Sequence, residues 1–219
     1  MTIGAKIEEL HASLPQGVKL VAVSKFHPID ALQEAYEAGQ RIFGESRVQE
    51  LVVKHDAMPG DIEWQMIGHL QTNKVRQIVP FISLIQSVDS VRLAECINRE
   101  AERIDRVVDI LLEIHVAQEE SKTGWRCEEL VEYLHSEEFA SLKSIRVRGI
   151  MGMATNTDDE TIIRADFEQL AKHYNELKPL FGEEFDTLSM GMSDDYELAI
   201  ECGSTMIRIG SSIFGERIY

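Results

Sequence analysis

The chain has 219 residues, 44% apolar and 27% charged, which is the composition of an ordinary globular protein. Its 38 acidic and 22 basic residues leave a formal charge of −16, which argues against a basic face for nucleic acid and against attraction to anionic lipid. The most apolar run, 107–116, carries Asp109, Glu113 and His115 and is too short to span a bilayer.

Taken in chain order, short β-rich runs alternate with segments of helical period. A helix over roughly 2–13 opens the chain. A first strand follows over 19–25, and Pro28 behind it suits the first turn of a helix. The second strand is 41–44, followed by a short apolar stripe of Val48, Leu51, Val52 and His55. Strands at 63–68 and 81–88 lead to a helix over 90–104, with Ser90 as N-cap and Leu93, Ile97, Ala101 and Ile104 on one face. The fifth and sixth strands are 107–116 and 144–153, and residues 154–160 form a polar loop. Ile163, Phe167, Leu170, Tyr174 and Leu177 give 159–178 one apolar face. The last strands are 187–192 and 206–215, with a helix opening at Ser193 between them.

Eight such alternations predict an α/β fold, a closed parallel (β/α)8 TIM barrel in one domain over 1–219. An open doubly wound sheet is the alternative, weakened by the absence of GxGxxG in the first strand–helix turn. The N-terminal stretch has no apolar signal core, and Cys96, Cys127 and Cys202 are isolated thiols, so a cytoplasmic protein is expected. The histidines form no HxxxH or HExxH pair, and no metal centre is expected.

In a barrel the chemistry sits at the C-terminal strand ends, and phosphate groups favour the loops after strands seven and eight. Those loops are GMSDD (191–195) and RIGSS (208–212), each pairing glycine with serine. Ser193, Gly210 and Ser211 offer backbone N–H and hydroxyl donors to an anion; equally, Ser193 or Asp194 caps a helix and Gly210 serves packing. Asp194 and Asp195 repel an anion unless they point away. Arg208 either enters the barrel mouth or pairs outside with a helix carboxylate. Lys25 ends the first strand as a Schiff-base amine or as a solvated lysine. Lys74, Arg76 and Lys122 are further cations near strand ends. Met151, Met153, Met190, Met192 and Met206 read as core, or as soft walls around a flat ring.

The strings VAVSK (21–25), AGQRIFGES (38–46), IGHLQTNK (67–74), SVDS (87–90), SKTG (121–124), LSMGMSDD (188–195) and RIGSSIFGER (208–217) together resemble the YggS/PROSC family of pyridoxal 5′-phosphate (PLP) homeostasis proteins, across essentially the whole chain. The resemblance implies the barrel of fold-type III PLP enzymes such as alanine racemase, without their second domain. It implies a PLP-binding protein that is not an enzyme, with Lys25 carrying PLP as a reversible Schiff base. Ser193, Gly210 and Ser211 then hold the phosphate, and Arg208 faces the pyridine nitrogen. Ser46 stands where the family usually has asparagine near the cofactor, Arg47 where it has tyrosine, and Gln65 where histidine is frequent. The implied protein is a cytoplasmic monomer, with PLP-dependent apo-enzymes as candidate recipients of the cofactor. A PLP-dependent amino-acid racemase is the alternative, and a Schiff-base aldolase without PLP a third reading.

Overall fold

The computed structural model describes residues 1–119 and 123–215. Eight parallel strands close a barrel in sequence order: β1 (Lys19–Val23), β2 (Ile42–Glu45), β3 (Glu63–Met66), β4 (Leu84–Val88), β5 (Val108–Glu113), β6 (Ile145–Met151), β7 (Thr187–Ser189) and β8 (Met206–Ile209). The closing seam pairs Lys19 with Met206, Leu20 with Ile207, Val21 with Arg208 and Ala22 with Ile209. Neighbours in a parallel register share a face, so Val21 and Arg208 project to the same side.

The two faces of the sheet bury different things. Val21, Leu84, Leu111, Met151 and Met206 form a small apolar cluster of their own, the barrel filling. Leu20, Ala22, Ile207 and Ile209 alternate with them and join the large cluster beneath the surrounding helices. The near-continuous apolar runs in the sequence have this cause: each strand is covered on both faces.

The helices are α1 (Ile3–Ser13), α2 (Ile29–Glu37), α3 (Val48–Ala57), α4 (Val75–Ile78), α5 (Val91–Glu102), α6 (Cys127–Leu134), α7 (Glu137–Ser141), α8 (Glu160–Phe181), α9 (Tyr196–Glu201) and α10 (Ser211–Phe214). The five apolar residues expected on one face of α8 are all buried, and Asp159 caps the helix by accepting from Thr161 N at 2.9 Å. On α5, Leu93, Ile97 and Ala101 are buried, but Ile104 lies beyond the helix end and is exposed. Ser90 occupies the N-cap of α5 without capping; its hydroxyl donates to Asp89 Oδ1. Pro28 sits at the N-cap of α2, one residue before the position expected.

Two expected elements change character. The strand expected over 206–215 stops at Ile209, and the chain turns at Gly210 into α10. The helix expected from Ser193 begins at Tyr196. Both shifts leave short loops after β7 and β8, at the C-terminal end of the barrel.

Gly149 is required by close approach. A Cβ there would lie 1.7 Å from Thr187 O on the neighbouring strand, and its φ of 155° adds strain for any side chain. This contact lets β6 and β7 pack at the point where β6 pairs with Thr187.

Candidate functional site

A cleft of about 230 Å³ opens at the C-terminal end of the barrel. Lys25, Ser193, Arg208, Gly210 and Ser211 all line it. These five come from opposite ends of the chain and meet because β1 and β8 close the barrel. Apolar wall is supplied by Val23, Ile67, Met153 and Met192. The methionines therefore divide: Met151, Met190 and Met206 are buried in the core, while Met153 and Met192 face the cleft.

Lys25 lies past the end of β1, in a turn, and is half-buried. The turn is held from below. Phe26 adopts a φ of 67°, uncommon for a large side chain, and its N–H donates to Glu50 Oε2 at 2.8 Å. On the other side of Lys25, the Ser24 carbonyl accepts from Lys54 Nζ at 2.8 Å, and the Ser24 hydroxyl donates to Glu45 Oε1 at 2.6 Å. Lys54 also donates to Glu45 at 2.7 Å, within an ion pair whose side chains are 7% and 0% exposed. Glu45, Glu50 and Lys54 thus fix both backbone neighbours of Lys25. Burial pushes the Glu45 carboxyl up, opposed by the Lys54 ammonium. Sequence reading did not single out this cluster. The one available signal was Glu50 and Lys54 at i, i+4 on a short amphipathic helix.

Arg208 enters the barrel. It is buried, and donates to Ser189 Oγ at 2.6 Å and to the Gly152 carbonyl at 3.0 Å. Desolvation lowers its pKa to about 10, partly opposed by the carboxylates of Asp195 and Glu113, so it remains protonated at neutral pH. The polar file continues inward. Ser189 donates to Gln86 Oε1 at 2.7 Å, and Gln86 Nε2 donates to Gln65 Oε1 at 2.6 Å. Gln65 is thus an interior residue of this file.

At the other side of the cleft the N–H groups of Gly210 and Ser212 converge on Ser193 Oγ, at 3.2 and 3.5 Å. Ser193 therefore caps no helix of its own. It ties the loop after β7 to the turn after β8, and marks a point where an acceptor oxygen is favoured. The two aspartates behind it differ. Asp195 folds back to accept from Met192 N at 2.6 Å, and burial pushes its carboxyl up. Asp194 is exposed at the edge of the cleft.

Ser46 is not brought to the cleft wall. It follows β2 and packs against Gly68, where an added Cβ would lie 2.7 Å from the Ser46 carbonyl. Arg47 is exposed, with its guanidinium 4.5 Å from the centre of the Phe26 ring. Lys74 and Arg76 lie outside the cleft lining, and Lys122 lies outside the described residues. Sequence reading also missed Glu113, a buried carboxyl at the end of β5 that accepts from Thr123 Oγ1 at 3.0 Å. Burial raises its pKa, with Asp89 adding to the rise and Arg208 and His69 opposing it.

The family model for the alanine racemase N-terminal domain matches residues 2–218. A pyridoxal phosphate homeostasis protein of Haemophilus influenzae is 38% identical over 206 residues, which cover 92% of this chain and 86% of that one. The chain belongs to the alanine racemase N-terminal domain family, among its pyridoxal phosphate homeostasis proteins. A homeostasis protein of Helicobacter pylori is 39% identical, over 98% of this chain and 96% of its own. Among solved structures, PipY of Synechococcus elongatus without PLP superposes with a TM-score of 0.91 at 37% identity, covering 98% of this chain and all of that one. The same protein with PLP bound gives 0.88 at 36% identity. Alanine racemase from E. faecalis, at 16% identity and a TM-score of 0.75, shares the fold; the match covers 57% of its chain.

Proposed function

We propose that this chain holds PLP reversibly on Lys25 and serves PLP homeostasis without catalysing a reaction of its own. The observation that carries the proposal is the convergence of Lys25, Arg208 and the Ser193–Gly210–Ser211 group on one cleft. Support also comes from relatives named for pyridoxal phosphate homeostasis and from PipY, whose structure holds PLP.

The chemistry of the cleft suits the group. When bound, PLP supplies an aldehyde that condenses reversibly with a primary amine, releasing one water. Lys25 provides that amine on a turn fixed from both sides. Ser193, Gly210 and Ser211 provide donors for a phosphate, and the Gly210 and Ser212 N–H groups already point at one oxygen. Met153, Met192 and Ile67 offer apolar wall for a flat ring.

Arg208 decides what the site does with the ring. A guanidinium has donors only and stays protonated at neutral pH, so an aromatic nitrogen facing it is left without a proton. Such a ring is a weaker electron sink than one facing a carboxylic acid, which favours holding over carbanion chemistry. Racemisation also needs a proton donor on each face of the ring. No tyrosine is among the described residues that line this cleft.

The holder would pass its cofactor to an incoming amine, which makes PLP-dependent apo-enzymes the proposed recipients. Its three cysteines are free thiols, in keeping with a cytosolic protein. Few large apolar residues are exposed among the described residues, in keeping with a monomer.

The test is an absorbance spectrum of the purified protein before and after borohydride, followed by peptide mass mapping. The expected result is a visible band, lost on reduction, with a phosphopyridoxyl adduct on Lys25 and none in Lys25→Ala. A protein that stays colourless with added PLP overturns the proposal. Turnover of alanine or serine enantiomers that depends on Lys25 overturns its non-catalytic part.

A further inference from the structure

Away from the barrel mouth, the outer helix layer brings three chemically distinct groups together. Cys127 is the first residue of α6, while His173 and Glu176 lie on α8. The i, i+3 spacing puts His173 and Glu176 on one face of that helix. Cys127 Sγ lies 3.1 Å from His173 Nδ1, and Glu176 Oε2 lies 3.3 Å from the same nitrogen. All three donor atoms fall within 4.8 Å of one another.

One nitrogen cannot serve both neighbours by ordinary two-centre bonds. With a proton on Nδ1 it donates to the carboxylate, and the thiol proton has no acceptor there. Without that proton it accepts from the thiol, and its lone pair then faces the carboxylate oxygens. A cation placed between the three donors satisfies all of them at once.

We propose that Cys127, His173 and Glu176 form a binding site for a divalent transition metal, with zinc the best match. A thiolate, an imidazole and a carboxylate are together a zinc-type donor set, and the soft sulfur disfavours magnesium and calcium. Bond lengths of about 2.3 Å to sulfur and about 2.0–2.1 Å to nitrogen and oxygen give tetrahedral donor separations of about 3.3–3.6 Å. The observed 3.3 Å between nitrogen and oxygen matches its edge, and the 3.1 Å between sulfur and nitrogen would open by about 0.5 Å to admit the ion. Glu176 is half exposed, so water can complete a fourth position.

Binding breaks the Cys127 S–H bond, forms a metal–sulfur bond and releases one proton to solvent; no electron is transferred. Lys172 Nζ is 3.8 Å from Glu176 Oε1, the carboxylate oxygen other than the one beside His173, so this contact leaves Oε2 for the metal. The ion would join the start of α6, which follows β5, to α8, which follows β6. It is therefore a staple between two successive units of the barrel wall, and it does not depend on the cofactor reading.

The test uses the full chain, reduced and stripped with chelator, in PLP-free and PLP-loaded forms. Cobalt and then zinc are titrated in. We expect one cobalt per chain in both forms, with visible ligand-field bands, a thiolate charge-transfer band and displacement by zinc. Cys127→Ser should abolish the charge-transfer band, and His173→Asn should weaken binding by at least about tenfold. Glu176→Gln, on the exposed side, provides a third variant that does not disturb packing. Zinc should raise the melting temperature of the wild type and leave Cys127→Ser unchanged. Three results overturn the proposal: no saturable cobalt binding, binding unaltered in both Cys127→Ser and His173→Asn, or binding seen only when PLP, itself a chelator, is present.

Discussion

At the residue scale, the buried pair under the Lys25 turn carries the sharpest energetic expectation. Glu45 is wholly buried, and Lys54 Nζ is the only cation paired with it among the described residues. Lys54→Met leaves that carboxylate without its counter-charge and should cost about 3–5 kcal/mol, read from urea unfolding at neutral pH. The double variant Glu45→Leu/Lys54→Met should recover part of that loss, because no member of the pair then stays charged, while the buried Ser24 hydroxyl and carbonyl lose these partners. Glu113 has a different signature. Its folded pKa is raised by burial, so the stability it contributes is complete below the ordinary glutamate value near 4.5 and declines as pH rises through the folded value. Glu113→Gln removes that decline. The melting-temperature gain of the variant over wild type should widen from acid to neutral pH, and a constant gap would show that Glu113 does not titrate this way. Ser193→Ala, by removing one hydroxyl from the phosphate side of the cleft, should weaken PLP binding by about tenfold, measured by equilibrium titration. Lys25, Arg208 and Ser193 were visible in the sequence because each stands beside a strand end. Glu45, Lys54 and Glu113 were not, because burial of a carboxylate depends on partners many residues away. Ser46 shows the converse: it ends the recognised string AGQRIFGES, yet it is not among the residues that line the cleft.

At the element scale, strands and long helices were legible and short ones were not. The α8 stripe spans several turns, so its period is unmistakable, and its five apolar residues are buried. The third unit has only a three-residue 3-10 turn, Thr72–Lys74, and the four-residue α4, too brief for any period to show. Residues 211–214 are rich in residues that suit strands, yet they form α10, because the chain must leave the barrel wall after Gly210. The helix at 193 starts late for a related reason: Asp195 ties back to Met192 and delays it. Strand packing gives a further expectation. Gly149→Ala drives a methyl group into the Thr187 carbonyl and should destabilise the barrel by about 3 kcal/mol or more, measured by denaturant unfolding. Loss of less than that would mean β7 can move aside freely.

At the scale of the whole molecule, charge and closure dominate. A formal charge of −16 surrounds a cleft proposed to take a phosphate ester. The long-range field therefore opposes entry, while the local donors favour residence. Raising ionic strength should speed PLP association in stopped-flow mixing, since screening weakens the repulsion. A rate that falls with salt would mean that the Lys25–Arg208 side of the cleft outweighs the net charge. Eight alternations pointed to barrel closure with an open sheet as the alternative, the family resemblance implied the barrel, and closure holds in the structure, with β1 beside β8.

The file of Arg208, Ser189, Gln86 and Gln65 draws one side chain from each of four strands: β8, β7, β4 and β3. In a parallel sheet, sliding one strand by a single residue turns every side chain on it to the opposite face. A slipped β8 would press a guanidinium into the apolar layer under the helices and leave Ser189 facing a hydrocarbon. A barrel filled only with aliphatic groups would tolerate such mispairing, since Ile207 or Ile209 could replace Met206 inside with little penalty. The polar file thus works as a proofreading key for assembly. It makes one stagger of the strands far better than its neighbours, and the stagger it selects is the one that brings β1 and β8 together at the mouth.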